Sequence, residues 1–185
     1  VVLSLVMKSF LLTLLFLGFS FSQLSAALTA YLKIGDIPGE SQASGHEEEI
    51  EIHDISWAIF RPVEDATGST RTRSSAVVED LMVIKELDKS TPKLMEACAN
   101  GKVFPEIVIT FRKDSGEAHL DYLKITLTNV QVTSYDIGAS GQSEVPASSA
   151  SFNYEELKVT YTEFDDKGAS KGNVEATWKI EEGES

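Results

Sequence analysis

The sequence predicts a mostly-β domain, a closed β-barrel of two curved antiparallel sheets with one flanking α-helix. Apolar and polar residues alternate through most of the chain after Ala27, which is the period of half-buried strands. This alternation slips by one residue at three places. Only the stretch at about residues 92–100 shows the spacing of an amphipathic helix instead.

The three slips predict bends within long strands. They fall at His53-Asp54, between Leu127 and Val130, and between Tyr154 and Leu157. A one-residue slip would turn the following side chains to the wrong face of a sheet unless a bulge absorbs it. Repeated bends of this kind fit a closed, curved sheet better than a flat sandwich.

The remaining strands are expected at Tyr31–Ile34, Val78–Lys85, Ile107–Phe111 and Val174–Ile180. Asp165-Asp166-Lys167-Gly168 predicts a turn between the last two strands. Five aromatic residues are predicted for the core: Trp57, Phe152, Tyr154, Tyr161 and Trp178. Three polar segments are predicted to be loose, namely Gly39–Glu48, Pro62–Ser75 and Gly138–Ser149.

The predicted helix has signals at both ends. Thr91 can cap its start, Pro92 suits the first turn, and Gly101 suits the position just past the end. Leu94, Ala97 and Cys98 fall on one face, which we expect to pack on the outside of the barrel.

Composition narrows the classes of partner. The net charge is −13 and the pI is about 4.6, which excludes nucleic acid as a natural partner because phosphate binding needs a basic face. The single cysteine, Cys98, cannot form an internal disulfide, and the role of a buried small apolar residue fits it better than an intermolecular bond.

Residues 1–26 read as a secretory leader ahead of one domain at 27–185. Met7-Lys8 begins a basic stretch, an apolar run follows to Phe21, and Ser25-Ala26-Ala27 supplies the small residues of a cleavage site. The run is too short for a comfortable membrane span. The alternative is that translation begins near Ala26 and the leader is not part of the protein.

No catalytic, cofactor or metal site is predicted. His46, next to Glu47 and Glu48, lacks the spacing of a metal site and reads as a charged strand edge. A hydrolase using His53 and Asp54 as an oriented base remains an alternative, although no activated nucleophile is evident.

Arg71, Thr72 and Arg73 are the candidate residues for a subunit interface. They stand in a Gly- and Ser-rich segment of a strongly acidic chain. A solvated loop tip and a contact arm that reaches an acidic patch on a neighbouring copy explain them equally well. Such head-to-tail contacts either close into rings or extend as filaments.

Four short sequence motifs, in this order along the chain, resemble those of the hemolysin-coregulated protein (Hcp) family of bacterial type VI secretion. They are Tyr31-Leu32-Lys33-Ile34-Gly35-Asp36-Ile37-Pro38-Gly39-Glu40-Ser41, Glu49-Ile50-Glu51-Ile52 with Ser56-Trp57, Asp88-Lys89-Ser90-Thr91-Pro92-Lys93-Leu94 with Glu96-Ala97-Cys98, and Ser151-Phe152-Asn153-Tyr154. The similarity extends over nearly all of Leu28–Ile180.

The resemblance implies a barrel like that of phage tail-tube proteins and assembly as hexameric rings. It further implies that the rings stack into a tube inside a contractile sheath, topped by a spike trimer, and are expelled from the cytoplasm without catalysis. Small effectors ride in the ring lumen of such proteins. The leader departs from the family pattern, so an exported binding module on the same fold is the alternative function.

Overall fold

A computed structural model describes residues 29–62, 76–115, 118–138 and 146–180. The predicted leader, residues 1–26, lies outside them. The described residues form a mostly-β fold with one helix, as predicted. In chain order, the elements are β1 Thr29–Ile34, β2 Ile50–Ile52, β3 Asp54–Ser56, β4 Ile59–Phe60, β5 Val77–Val78, β6 Leu81–Glu86, α1 Thr91–Asn100, β7 Val103–Ser115, β8 Ala118–Gly138, β9 Ala147–Asn153, β10 Glu156–Phe164 and β11 Ser170–Lys179.

Nine strands form one antiparallel sheet in place of the two sheets predicted. The order is β2-β1-β7-β8-β9-β6-β3, with β10 paired to β8 and β11 paired to β10. The long strand β8 unites the sheet, because it pairs with β7 along one edge and with both β9 and β10 along the other. Strands β4 and β5 form a separate two-stranded ribbon.

The hydrogen-bonded strand order is open, and its two ends lie next to each other in the chain. The order begins with β2 and ends with β3, and only His53 separates these strands. Strand β2 pairs with β1, whereas β3 pairs with β6. The His53 N–H donates to the Ile84 carbonyl of β6 at 2.9 Å. The ladder among the described strands therefore does not itself form the predicted closed barrel.

All three predicted bends are present. His53 interrupts the strand between β2 and β3, and Tyr154-Glu155 separates β9 from β10. Within β8, Asn129 adopts φ 51°, so that Leu127 and Val130 are both buried although they stand three positions apart, on opposite faces of a regular strand. The irregularity is local, which lets the same face of each long strand stay on the core.

The helix begins one residue earlier than predicted. Ser90, not Thr91, occupies the N-cap position, and no side chain caps the helix there. The Thr91 hydroxyl instead accepts the Asp88 N–H at 3.2 Å. Gly101 ends the helix in the left-handed region at φ 61°, as expected of a residue without a Cβ. Leu94 and Ala97 are buried and Cys98 is half-buried.

The core prediction is partly wrong. Phe152 and Tyr154 are buried, and Trp57 packs half-buried against the core. Tyr161 and Trp178, in contrast, are 44% and 46% exposed. Both share a sheet face with the buried Leu157, but Tyr161 lies four residues further along β10 and Trp178 lies on the edge strand β11, so the core does not cover them as it covers Leu157.

Two of the segments predicted to be loose contain regular contacts. Backbone hydrogen bonds tie Gly39–Glu48 down, including Gly39 N–H to Glu48 O at 2.6 Å and Glu48 N–H to Ser41 O at 2.9 Å. Within Gly138–Ser149, strand β9 begins at Ala147, and residues 139–145 lie outside the described ranges.

Candidate assembly surface

The predicted interface residues Arg71, Thr72 and Arg73 lie outside the described residues, but the strands on either side of them are described. Ile59 pairs with Val78 and Phe60 pairs with Val77. We call this ribbon of β4 and β5 the arm. It is separate from the main sheet, and in the sequence the segment that connects its two strands contains Arg71 and Arg73.

A hydrogen bond between the half-buried Trp57 and the buried Tyr154 fixes the base of the arm. The Trp57 indole N–H donates to the Tyr154 hydroxyl at 2.6 Å, and that hydroxyl donates to the Glu79 carbonyl at 3.2 Å. The Glu79 N–H in turn donates to Ala58 O at 3.1 Å. Burial raises the pKa of Tyr154 to about 12, so the hydroxyl keeps its proton at neutral pH and remains a donor. The residues that flank the arm, Trp57 and Glu79, are therefore fixed to Tyr154.

The arm exposes apolar side chains. Ile59, Phe60 and Val77 are 40%, 48% and 41% exposed. Phe60 and Val77 are directly paired, so their side chains project from the same face of the ribbon. A cluster of large apolar side chains left in solvent is typical of a surface that meets another protein.

A second apolar surface lies on the hairpin of β10 and β11. Leu157 pairs with Trp178, Val159 with Ala176, and Tyr161 with Val174. Since alternate residues of a strand share a face, these six side chains form one face. Its inner end is the buried Leu157, whereas Val174 at the outer end is 72% exposed. We call this surface the hairpin face.

The aromatic contacts of the hairpin face connect it to the core. The Tyr161 ring meets the Tyr122 ring edge-on at a centroid distance of 6.3 Å, and Tyr122 meets Phe111 at 6.4 Å. Rings at this distance and tilt attract one another beyond the area they bury. Tyr161 is therefore held in place while much of its surface stays open.

The opposite side of the same hairpin is polar. The Lys158 ammonium forms an ion pair with the Glu175 carboxylate at 3.0 Å, and the Thr160 hydroxyl donates a hydrogen bond to the same carboxylate at 3.0 Å. The Lys158 ammonium also lowers the pKa of Glu175. The two faces thus differ sharply, and only the hairpin face offers apolar area to a partner.

Strand β11 is also an open sheet edge. It pairs with β10 and with no other described strand. An unpaired edge presents a row of N–H and C=O groups to which another chain can add. Unpaired backbone groups and exposed apolar side chains therefore coincide on this one strand.

The residues considered for chemistry do not form a catalytic centre in the described part of the chain. His53 Nε2 lies 3.7 Å from Glu86 rather than against Asp54, whose carboxylate accepts the Ile55 N–H at 2.8 Å. No group of three metal-ligating side chains occurs among the described residues. The helix described here is also too short and too polar to cross a bilayer.

His46 is not the charged strand edge that the sequence suggested. Its side chain is buried, and its two ring nitrogens face Glu49 and Asp121. Asp121 lies 75 residues away in the chain. Sequence spacing gives no sign of that partner.

Sequence reasoning also missed the hairpin face. The alternation of apolar and polar residues shows which side chains share a face of a strand, but not where the core beneath that face ends. Its available signal is that Val174, Ala176 and Trp178 repeat on the last strand, where a terminal strand has one side free to be an edge. The arm could be anticipated only from its connecting segment, since each of its strands is two residues long.

The chain matches a family model described as type VI secretion system effector, Hcp, over residues 31–161. It is 36% identical over 155 residues to Protein hcp1 of Pseudomonas aeruginosa strain PAO1, covering 83% of this chain and 96% of that protein. A structure of a type six secretion system protein superposes with a TM-score of 0.76 at 25% identity, covering 83% of this chain and 96% of that one. The crystal structure of Hcp1 from Salmonella typhimurium gives 0.66 at 26% identity, covering 83% and 94%.

Proposed function

The chain belongs to the Hcp family of type VI secretion proteins, and we propose that it is the structural subunit of the secretion tube. In this proposal six copies form a ring, rings stack into the tube, and the tube is expelled with the spike. This is a family of secreted proteins and not of enzymes, and we propose no catalytic activity and no cofactor.

The proposal includes a closed barrel. Residues 50–56 act as one bent strand whose first half pairs with β1 and whose second half pairs with β6. The hydrogen bond from His53 N–H to Ile84 O supports this closure, because it continues the β3–β6 pairing up to the bend. A strand shared between the two ends of a sheet removes those ends as open edges.

The observation that carries the assembly is the hairpin face on the open edge of β11. The arm supplies a second apolar surface on a different element of the same chain. Contact between two different surfaces on identical copies is heterologous, and it closes into a ring when the rotation between copies permits. Arg71, Thr72 and Arg73, at the arm, are proposed to add contacts to an acidic neighbour.

The proposed partners follow from the tube role. They are further copies of the chain, the spike trimer, the contractile sheath, and small effector proteins carried and chaperoned in the lumen. The net charge of −13 supports the absence of nucleic acid from this set. The proposed route is secretion from the cytoplasm through the type VI machine, with no stable membrane anchor.

Negative-stain electron microscopy of the purified protein tests the ring. We expect six-fold rings in class averages at micromolar concentration. Single globular particles, unchanged at higher protein concentration, would remove the tube-subunit proposal.

An exported binding module on the same fold is the second candidate. The leader-like residues 1–26 favour it. Sequencing the N-terminus of protein from the native host separates the two candidates: a mature start at Ala27 supports export, whereas a start upstream of the apolar run with the leader retained removes its basis.

A further inference from the structure

His46 occupies a buried position between three parts of the fold. It lies in residues 39–49, which we call the β1–β2 loop. Its side chain is 6% exposed, and its ring stacks on the Tyr31 ring at a centroid distance of 4.3 Å with an interplanar angle of 9°. The loop is thereby held against β1 on one side and the β7–β8 strands on the other.

Both ring nitrogens of His46 face carboxylates. Nδ1 lies 2.7 Å from Glu49 Oε2, and Nε2 lies 3.2 Å from Asp121 Oδ2. An ionised carboxylate only accepts hydrogen bonds, so both contacts are satisfied together only when both nitrogens carry a proton. A neutral imidazole has one N–H, and its second nitrogen would then turn a lone pair toward a carboxylate.

The arrangement of the neighbouring charges also favours a doubly protonated His46 ring. Arg112 donates to Asp121 Oδ1 at 2.7 Å and to Ser44 O at 3.0 Å. With a protonated His46, two cations (His46 and Arg112) face two carboxylates (Glu49 and Asp121). With a neutral His46, one of these negative charges has no matching cation. The charged and titratable groups around the ring are Tyr31 on β1, Glu47 and Glu49 in the loop, Glu51 on β2, Arg112 and Asp114 on β7, and Asp121 on β8.

We propose that His46 is a protonation-dependent latch that holds the β1–β2 loop to strand β8. The protonated ring bridges Glu49 and Asp121. The nitrogen that loses its proton is Nε2, whose contact is the longer of the two at 3.2 Å, so that a lone pair then faces Asp121 and the loop is freed from β8 while Arg112 still holds Ser44. The latch is therefore closed while the ring carries both protons and opens when Nε2 has lost its proton at higher pH.

Hydrogen exchange on the full-length chain measures the latch directly. The amides of Gly39, Ser41 and Glu48 close the loop through backbone hydrogen bonds and report its opening. Between about pH 5 and pH 9, after correction for the intrinsic exchange rate, we expect their protection to fall about tenfold, the loss of one charge-assisted hydrogen bond. Amides of the β1–β7 ladder should keep their protection.

Two variants and one spectrum sharpen the test. His46→Gln cannot donate to both carboxylates, so its loop should be open at every pH, and the His119→Gln control should keep the wild-type profile because His119 is exposed. Nitrogen NMR of the wild-type ring should show two protonated nitrogens at the low end of the range. If His46→Gln does not fold, the wild-type pH series decides alone.

Two results would overturn the latch. One is loop protection that stays constant across the pH range in the wild-type chain. The other is a His46 ring that is already neutral at the low end of the range. Sizing the same samples separates an opened loop from a change in assembly.

Discussion

Trp57 donates its indole N–H to the hydroxyl of Tyr154 at 2.6 Å and so joins the base of the arm to the core. The bond brings together residues 97 positions apart in the chain. Tyr154 passes the connection on to Glu79 O, at the other end of the arm. Tyr154 therefore connects both ends of the arm to the junction of β9 and β10 through hydrogen bonds.

Replacing Tyr154 with Phe should destabilise the protein. The change leaves the Trp57 N–H and the Glu79 carbonyl without their partner, and an unsatisfied buried polar group costs about 1–3 kcal/mol. Urea denaturation measures the free energy of unfolding. Tyr161→Phe, at an exposed ring, is the matched control and should change it by no more than about 0.5 kcal/mol. Equal effects of the two changes would contradict this role for Tyr154.

Lys85→Met should be severely destabilising. The Lys85 ammonium is fully buried and lies 2.8 Å from Asp88 Oδ1, and it donates to Glu86 O at 2.7 Å. Removing one partner leaves the Asp88 carboxylate uncompensated, at a cost of about 3–5 kcal/mol. The same denaturation experiment applies. Lys93→Met breaks an exposed pair with Glu96 and should cost at most about 1 kcal/mol; a comparable loss would show that burial is not the cause.

Acid should destabilise the fold through Asp121. Burial favours the neutral acid, but the hydrogen bonds from Arg112 and His46 outweigh it and lower the pKa of Asp121. A folded-state pKa below the unfolded value gives stability that is present above the ordinary pKa and lost as the pH falls through the folded one. We expect the free energy of unfolding to drop below about pH 4. Asp121→Asn should reduce that drop, and an unchanged pH dependence in this variant would be evidence against the assignment.

Gly39→Ala should disturb the β1–β2 loop. A Cβ at this position would overlap the Glu49 carbonyl oxygen, so the backbone must move, at a cost of about 1–3 kcal/mol. Gly138→Ala, where the nearest atom is 3.9 Å away, is the control for removing a glycine. Thermal unfolding compares the two. A melting temperature equally affected in both variants would rule out the close approach as the reason.

The bends were predictable from sequence because at each of them the alternation of apolar and polar residues shifts by one position. At Asn129 the slip between Leu127 and Val130 is visible in the printed letters, and the positive φ is its structural cause. Exposure was not predictable in the same way. Trp178 obeys the alternation that buries Leu157, yet the core ends between them, and only the three-dimensional packing sets that limit.

Buried charge was the other feature that sequence could not reveal. Lys85 shares the buried face of β6 with Leu81 and Val83, where alternation favours an apolar residue, although its partners Asp88 and Thr91 lie close in sequence. Asp121, the partner of His46, is distant and belongs to another strand. Such contacts depend on register between strands, which the pattern of a single strand does not specify.

Native mass spectrometry of three proteins tests the central claim, that the hairpin face drives assembly. Val174 and Asn173 are neighbours on β11 with side chains on opposite faces, and Val174 is 72% exposed, so Val174→Asp should leave the monomer folded. We predict the mass of six chains for the wild-type protein and for Asn173→Asp, and monomers for Val174→Asp. A Val174→Asp protein that assembles as fully as the wild type, or a wild-type protein that remains monomeric, would contradict the account.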